Sequence, residues 1–326
     1  MDYKFDNNRF NLFMKIILNS FSFKTSVLII LLIKLLLLCI FSSEYNKTLF
    51  QPFVNVFISG NLNPWEYYYV NNLNQDSFPY HPLMLYLLSP FAYLIKFFGI
   101  NSLIAQNLIF KLPLLIADLA ILQFFIKIFP YKKKKVFLFY FLNPIIIYAI
   151  YIHSQLDILP MVFLLYGIFY VINNKNILSA ILIGLAISVK FHVVLSIPLL
   201  SFYILKRDEL FEVIKFFGAA LLTLLIFDLP YLNSQGFQNM VLFNPKQSLL
   251  FDSFFEIGTL NLLLPILSII LVYFHFLIQR RVNQDLLFFY FGILFTSTIF
   301  FIYPAPGWYV WIIPFISYYF IIDKNN

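Results

Sequence analysis

Long apolar runs separated only by brief polar joints dominate this chain; the first, VLIILLIKLLLLCIF at 27–41, carries a single charge, Lys34. Backbone in hydrocarbon has no water to bond, so a spanning segment must satisfy its own hydrogen bonds as a helix or within a closed barrel. These runs are too continuous for the two-residue alternation of a barrel strand. Helices are therefore expected, and with 61% hydrophobic and only 11% charged residues among 326, no stretch reads as a soluble domain. The expected fold class is an all-α polytopic membrane protein, one integral membrane domain over 1–326. A net charge of +7 would suit a nucleic-acid partner, but the basic residues fall in short joints where they act as a topology signal, and no nucleic acid is expected. Cys39 is the single cysteine and leaves no intramolecular disulfide.

Residues 1–22 place Lys4, Arg9 and Lys15 among Phe, Leu and Ile, which reads as an interfacial, cytoplasmic lead-in. The run from about 25 to 43 has no small-residue cleavage site after it and is a retained span rather than a signal peptide. A mid-bilayer charge needs a protein partner unless its stem snorkels, so Lys34 is expected to pair with Asp118, midway along a span at 103–129. A long outer loop at 44–101 follows the first span, with a surface helix near 46–58 ended by Gly60-Asn61. The segment 81–99 has the hydropathy of a span, yet Glu44 outside and Lys132 to Lys135 inside require an odd number of crossings between them. With 103–129 as that crossing, 81–99, punctuated by Pro82 and Pro90, is expected to dip and return as a re-entrant or interfacial helix pair.

Further spans near 136–152, 158–173, 177–189, 191–205, 212–229, 259–278, 285–302 and 308–322 put Lys175, Lys206-Arg207, Lys215, Arg280-Arg281 and Lys324 inside, about ten spans in all. Glu44, Glu66, Asp76, Asp157, Asp228, Asp252 and Glu256 then fall outside or at the outer edge, where a site using carboxylates belongs. The arms 177–189 and 191–205 reach only about 20 Å each at about 1.5 Å per residue. Their tip therefore places Lys190 and His192 in a notch below the outer surface; a single tilted helix through 177–205 is the alternative. A cation at that depth needs an anion, and a lipid phosphate is the anion found there.

Two polar stretches interrupt the hydrocarbon and are expected to line one site: Ser42 to Pro82, and HSQLD at 153–157. The layout of SGNLNPWEYY, FPYHPLMLYLLSP, FKLPLLIADLAI, FLNPIIIYAIYIHSQLD, ILIGLAISVKFHVVLSIPLL and YPAPGWYVWIIPF resembles the multi-span glycosyltransferases of the GT-C fold, and most resembles PIG-M-type mannosyltransferases and related bacterial families. The resemblance implies a bundle of about ten transmembrane helices and transfer of a hexose, mannose favoured, from a polyprenyl-phosphate donor to a glycan or lipid acceptor on the non-cytoplasmic side. The abundance of Phe, Ile, Asn and Lys suggests an AT-rich genome, and a bacterial inner (plasma) membrane is the expected setting.

In such enzymes a first-loop acid activates or orients the acceptor, and Glu44 stands at that position, where the family usually has Asp. Glu66 and Asp76 are the other acids of that loop, and Asp157 is a second catalytic candidate, although an acid at a helix end is more often a cap. Lys190 would neutralise the departing phosphate and His192 would hydrogen-bond to it. Tyr80, His81, Gln155 and Trp308 complete the expected substrate contacts, although the aromatics equally suit an interfacial belt. No His, Cys and acid grouping has metal-ligand spacing, so neither metal nor cofactor is expected beyond the lipid-linked donor and surrounding lipid. A transporter or flippase of lipid-linked sugars, or a noncatalytic assembly subunit, remains open; the sugar, acceptor and linkage are not readable.

Overall fold

The computed structural model describes residues 22–323, and the lead-in expected at 1–22 lies, apart from Ser22, outside them, as does Lys324. Of the described residues, 76% are helical and 3% lie in strands. Helix α1 (Phe23–Ile40) starts where Ser22 Oγ accepts from the Thr25 amide at 3.2 Å. Its leucines at 28, 32 and 36 are exposed while Lys34 is fully buried, the reverse of a helix in water. A π-helical turn at 45–50 leads into α2 (Gln51–Ile58), as expected of the first loop, and the chain turns away at Gly60, whose φ of +105° suits glycine. The short α3 (Pro64–Val70) follows, capped by Asn63.

The segment 81–99 departs from expectation. It forms one continuous helix, α4 (Pro82–Phe97), with Pro90 inside it. Pro82 occupies the first turn, where a missing N–H costs nothing, so it starts the helix. Pro90 removes one interior bond, but Leu83, Met84, Leu85, Leu88 and Ala92 are buried around it, and that packing carries the helix through.

Next come α5 (Leu103–Ile128) and two segments, α6 (Lys133–Phe141) and α7 (Pro144–Ile152), in place of the straight span expected at 136–152. They bend by 44° at Asn143-Pro144, where Asn143 Oδ1 accepts from the Ile145 amide at 3.0 Å and starts a new helix. Helices α8 (Ile158–Ile172), α9 (Asn176–Val189) and α10 (Phe191–Leu205) follow. The backbone of Lys190, at φ −154° and ψ 127°, is extended, so 177–205 is broken where the two-armed reading placed the break.

Then α11 (Leu210–Asp228) and a short α12 at 235–242 lead to a hairpin, β1 (Phe254–Ile257) with β2 (Leu260–Leu263), which replaces the start of the helix expected from 259. The chain closes with α13 (Leu264–Ile278), α14 (Gln284–Phe300) and α15 (Pro306–Ile322). Helix α9 sits between α8 and α11, while α1 and α8 flank α5.

By length and composition three helices can cross a membrane, α1, α5 and α11, and the bent pair α6–α7 makes a fourth if it is one span. The remaining apolar helices run 10–17 residues, at most about 26 Å at about 1.5 Å per residue, short of a hydrocarbon core of about 30 Å. Membrane character therefore rests on these long helices, and the count of ten is not reached by length alone.

The expected Lys34–Asp118 pair forms, at 2.6 Å with neither side chain exposed. Asp118 on α5 also accepts from Tyr140 at 2.9 Å and Tyr151 at 2.5 Å. Tyr140 belongs to α6 and Tyr151 to α7, so one carboxylate ties both arms of the bend to α1 and α5. Lys34 Nζ lies 3.6 Å from the Phe141 ring centroid and 4.9 Å from that of Tyr151, which covers its remaining surface.

Candidate functional site

The stretch HSQLD emerges from α7 with its backbone strained. Ser154 has φ of +60°, a left-handed conformation that a residue with a Cβ adopts at a cost of about 1–2 kcal/mol. Two backbone bonds enclose it, His153 N to Tyr148 O at 2.8 Å and Gln155 N to Ala149 O at 2.9 Å. The turn delivers Asp157 to the start of α8 with its side chain fully buried.

Asp157 Oδ1 accepts a short hydrogen bond from Lys190 Nζ and another from Trp311 Nε1 at 2.8 Å. Its Oδ2 has no partner although it is buried. The turn of α15 at 306–311 rests directly on this acid. A Cβ on Gly307 would stand 2.6 Å from Asp157 Oδ2 and 2.7 Å from Gln155 Oε1, so only glycine lets the backbone come so near.

Above the pair lies an aromatic enclosure. Lys190 Nζ is 5.0 Å from the Trp311 ring, 5.2 Å from Tyr80 and 5.8 Å from Trp308. The Lys190 side chain remains 15% exposed, whereas that of Lys34 is not exposed at all. An ammonium has three donors; Asp157 takes one, and the other two are available to an anion's oxygens. Trp308 and Trp311 stack at 5.2 Å, and His192 stacks on Trp311 at 3.7 Å with an interplanar angle of 11°. Neither ring nitrogen of His192 has a partner.

Of the expected site residues, Asp157, Lys190, Tyr80, Trp308, His192 and Gln155 therefore gather around one centre. Asp157, read from the sequence as a catalytic carboxylate, holds the lysine and is itself held by Trp311. Gln155 turns its Nε2 to His153 Nδ1 at 2.7 Å. His81 is committed elsewhere, with Nδ1 2.7 Å from Asp228 Oδ2. Glu66 is also engaged: its Oε2 accepts from Ser234 Oγ at 2.6 Å and the Gly236 amide at 3.0 Å, fastening α3 to α12. Those bonds, the Ser234 hydroxyl foremost, hold its carboxyl below the ordinary glutamate range. A carboxylate so occupied is a fastening rather than the substrate contact expected of it. Asp76 is 59% exposed and lies 3.9 Å from Lys246. Glu44 is exposed, and its side chain has no bond among the described residues. Next to it Tyr45 meets the His153 ring at 5.7 Å, which joins the start of the outer loop to HSQLD.

Sequence reasoning missed Trp311 and Gly307. Both lie in PGWYVW, where tryptophans three apart share one face of a tight helical turn and the glycine precedes them. Among the described residues no three His, Cys, Asp or Glu side chains converge as metal ligands would. Searches against protein-family models and curated proteins find no match to this chain.

Proposed function

We propose that this chain is a membrane-embedded glycosyltransferase of the GT-C kind, with about ten helices in the bilayer and its site on the non-cytoplasmic face of a bacterial plasma membrane. It transfers a hexose, mannose favoured, from a polyprenyl-phosphate donor to a glycan or lipid acceptor. The observation that carries this reading is Lys190: its ammonium is backed by Asp157 and enclosed by Tyr80, Trp308 and Trp311 at the break of a helix pair. Displacement at an anomeric carbon expels the lipid phosphate as an anion, and a cation fixed where that charge develops lowers the barrier.

Lys190 supplies the cation, with Asp157 as the residue that positions it. The tryptophans offer flat apolar faces to a sugar ring. Glu44, exposed beside the Tyr45–His153 contact, meets the acceptor. The test is sugar transfer by purified protein in nanodiscs with a panel of polyprenyl-phosphate sugars, with and without chelator, beside Glu44→Gln and Lys190→Ala. Transfer by the wild type that fails in folded Lys190→Ala supports the reading. Movement of a labelled lipid-linked sugar across the bilayer with no donor consumed would make this centre a transport site instead.

A further inference from the structure

Three consecutive side chains at the break before α10 go to three places. Lys190 reaches Asp157, His192 stacks on Trp311, and Phe191 stacks on His81 at 5.8 Å and 15°. His81 is also the chain neighbour of Tyr80, whose ring lies 5.2 Å from Lys190 Nζ. Two links, through Phe191 and through Tyr80, thus join His81 to the lysine centre without making it part of that ion pair.

His81 is bonded across the fold to the last residue of α11, Asp228, and their side chains are 3% and 4% exposed. A carboxylate on Nδ1 fixes the proton there in the neutral ring and leaves a lone pair on Nε2. That Nε2 is buried and has no partner, and neither has Asp228 Oδ1. Buried polar atoms are nearly always bonded, so an imidazole oriented on one side and unsatisfied on the other is a place for a donor the protein does not itself supply. Phe191 on its face and Phe237 at its edge, 6.0 Å away, keep the ring in place. Of the neighbouring carboxylates, Glu66 is engaged by Ser234 and Gly236, and Asp157 carries Lys190 and Trp311 on one oxygen, which ties that acid to the leaving-group side of the centre.

We propose that His81, oriented by Asp228, is the general base that takes the proton of the acceptor hydroxyl. This rests on the glycosyl-transfer reading above. The acceptor O–H proton passes to His81 Nε2 as the acceptor oxygen bonds to the anomeric carbon. The bond from that carbon to the phosphate oxygen breaks, and its electron pair leaves on the polyprenyl phosphate beside Lys190. Asp228 is a positioning residue that balances the imidazolium. Glu44 then binds the acceptor rather than deprotonating it.

The experiment gives nanodisc-embedded protein labelled polyprenyl-phosphate mannose with octyl mannoside as the hydroxyl acceptor, and measures kcat and donor KM. His81→Gln is expected to lower kcat by about 10²–10⁴-fold at an unchanged donor KM. Asp228→Asn, of the same shape, lowers kcat less and leaves the thermal midpoint near that of wild type. Imidazole added to His81→Gly restores part of the rate, and none in Lys190→Ala. A wild type that transfers mannose while His81→Gln keeps its kcat overturns the base assignment alone. Loss of folded protein in both dyad variants, with kcat per folded molecule intact, makes the pair a structural staple and also overturns it. A wild type that consumes no donor overturns the glycosyl-transfer reading, and the role of His81 with it.

Discussion

Among the described residues two lysine–aspartate pairs have fully buried carboxylates, and they are finished to different degrees. In Lys34–Asp118 both carboxylate oxygens are bonded, two tyrosine hydroxyls add to the lysine, aromatic rings cover the ammonium, and nothing is exposed. In Lys190–Asp157 one oxygen holds both donors, the other has none, the lysine reaches the surface, and a strained Ser154 stands three residues away. A closed pair satisfies every group and fixes helices in place. An open one leaves a buried carboxylate oxygen without a partner in the protein, which costs stability.

The sharpest break of that comparison removes the acid of the closed pair. Asp118→Ala strands a buried ammonium and two tyrosine hydroxyls, and a loss of about 3–5 kcal/mol is expected, read as a fall in the thermal midpoint in detergent. Replacing both partners by apolar residues, Lys34→Met with Asp118→Leu, should recover most of it, because no charge is left unpaired. If the single and double variants are equally unstable, the pair is not acting as a closed unit.

At the open pair the balance shifts from stability to activity. Lys190→Ala is expected to abolish measurable transfer in the nanodisc assay while lowering the midpoint less than Asp118→Ala, since Asp157 retains the Trp311 bond and the lysine side chain is not wholly buried. A midpoint loss as large as that of Asp118→Ala would erase the distinction between the pairs.

Gly307→Ala probes the same centre from the other side. The added methyl would meet Asp157 Oδ2 at 2.6 Å and Gln155 Cβ at 2.8 Å, so either those side chains or the turn at 306–311 must shift, and each bears on the Asp157–Trp311 bond. Overpacking of this kind costs about 1–3 kcal/mol. A midpoint and transfer rate equal to wild type would show that the turn does not bear on Asp157.

How much of this was legible differs between the pairs for a physical reason. Lys34 and Asp118 each lie in the middle of an apolar run, and the cost of an unpaired charge there leaves few partners to choose from. The helix break at Lys190 was legible too, from arms too short to cross. Asp157 and Lys190 were each singled out, but as base and phosphate ligand, because either can be satisfied by water or substrate at a helix end and sequence does not say which neighbour arrives first. Trp311, Gly307 and the His81–Asp228 bond depend on contacts between segments up to about 150 residues apart. The continuous α4 shows the opposite error: charge parity, with two prolines as punctuation, suggests a dip and return, while burial of its face keeps one helix.

Strain separates the pairs again on a smaller scale. Ser154→Gly keeps φ at +60° without the Cβ penalty and also removes a buried hydroxyl that has no partner. A gain of about 1 kcal/mol is expected, seen as a raised midpoint, against the usual cost of a glycine's extra freedom in the unfolded chain. A lowered midpoint would mean that the hydroxyl has a bond that matters more than the strain.

Glu66 supplies the smallest effect and a reference for what a completed carboxylate does outside the spans. Its bonds from Ser234 and Gly236 lower its folded value below the ordinary 4.5, so at a given pH under that value the unfolded chain holds more proton than the folded one. The stabilisation is therefore fully present above about pH 4.5 and is lost as the pH falls through the lower folded value. Glu66→Gln should flatten the acid side of the midpoint against pH without touching the neutral plateau by more than about 1 kcal/mol, the worth of one partly exposed bond. Asp157 differs in kind: what completes Glu66 comes from the chain, and no group among the described residues completes Asp157 Oδ2.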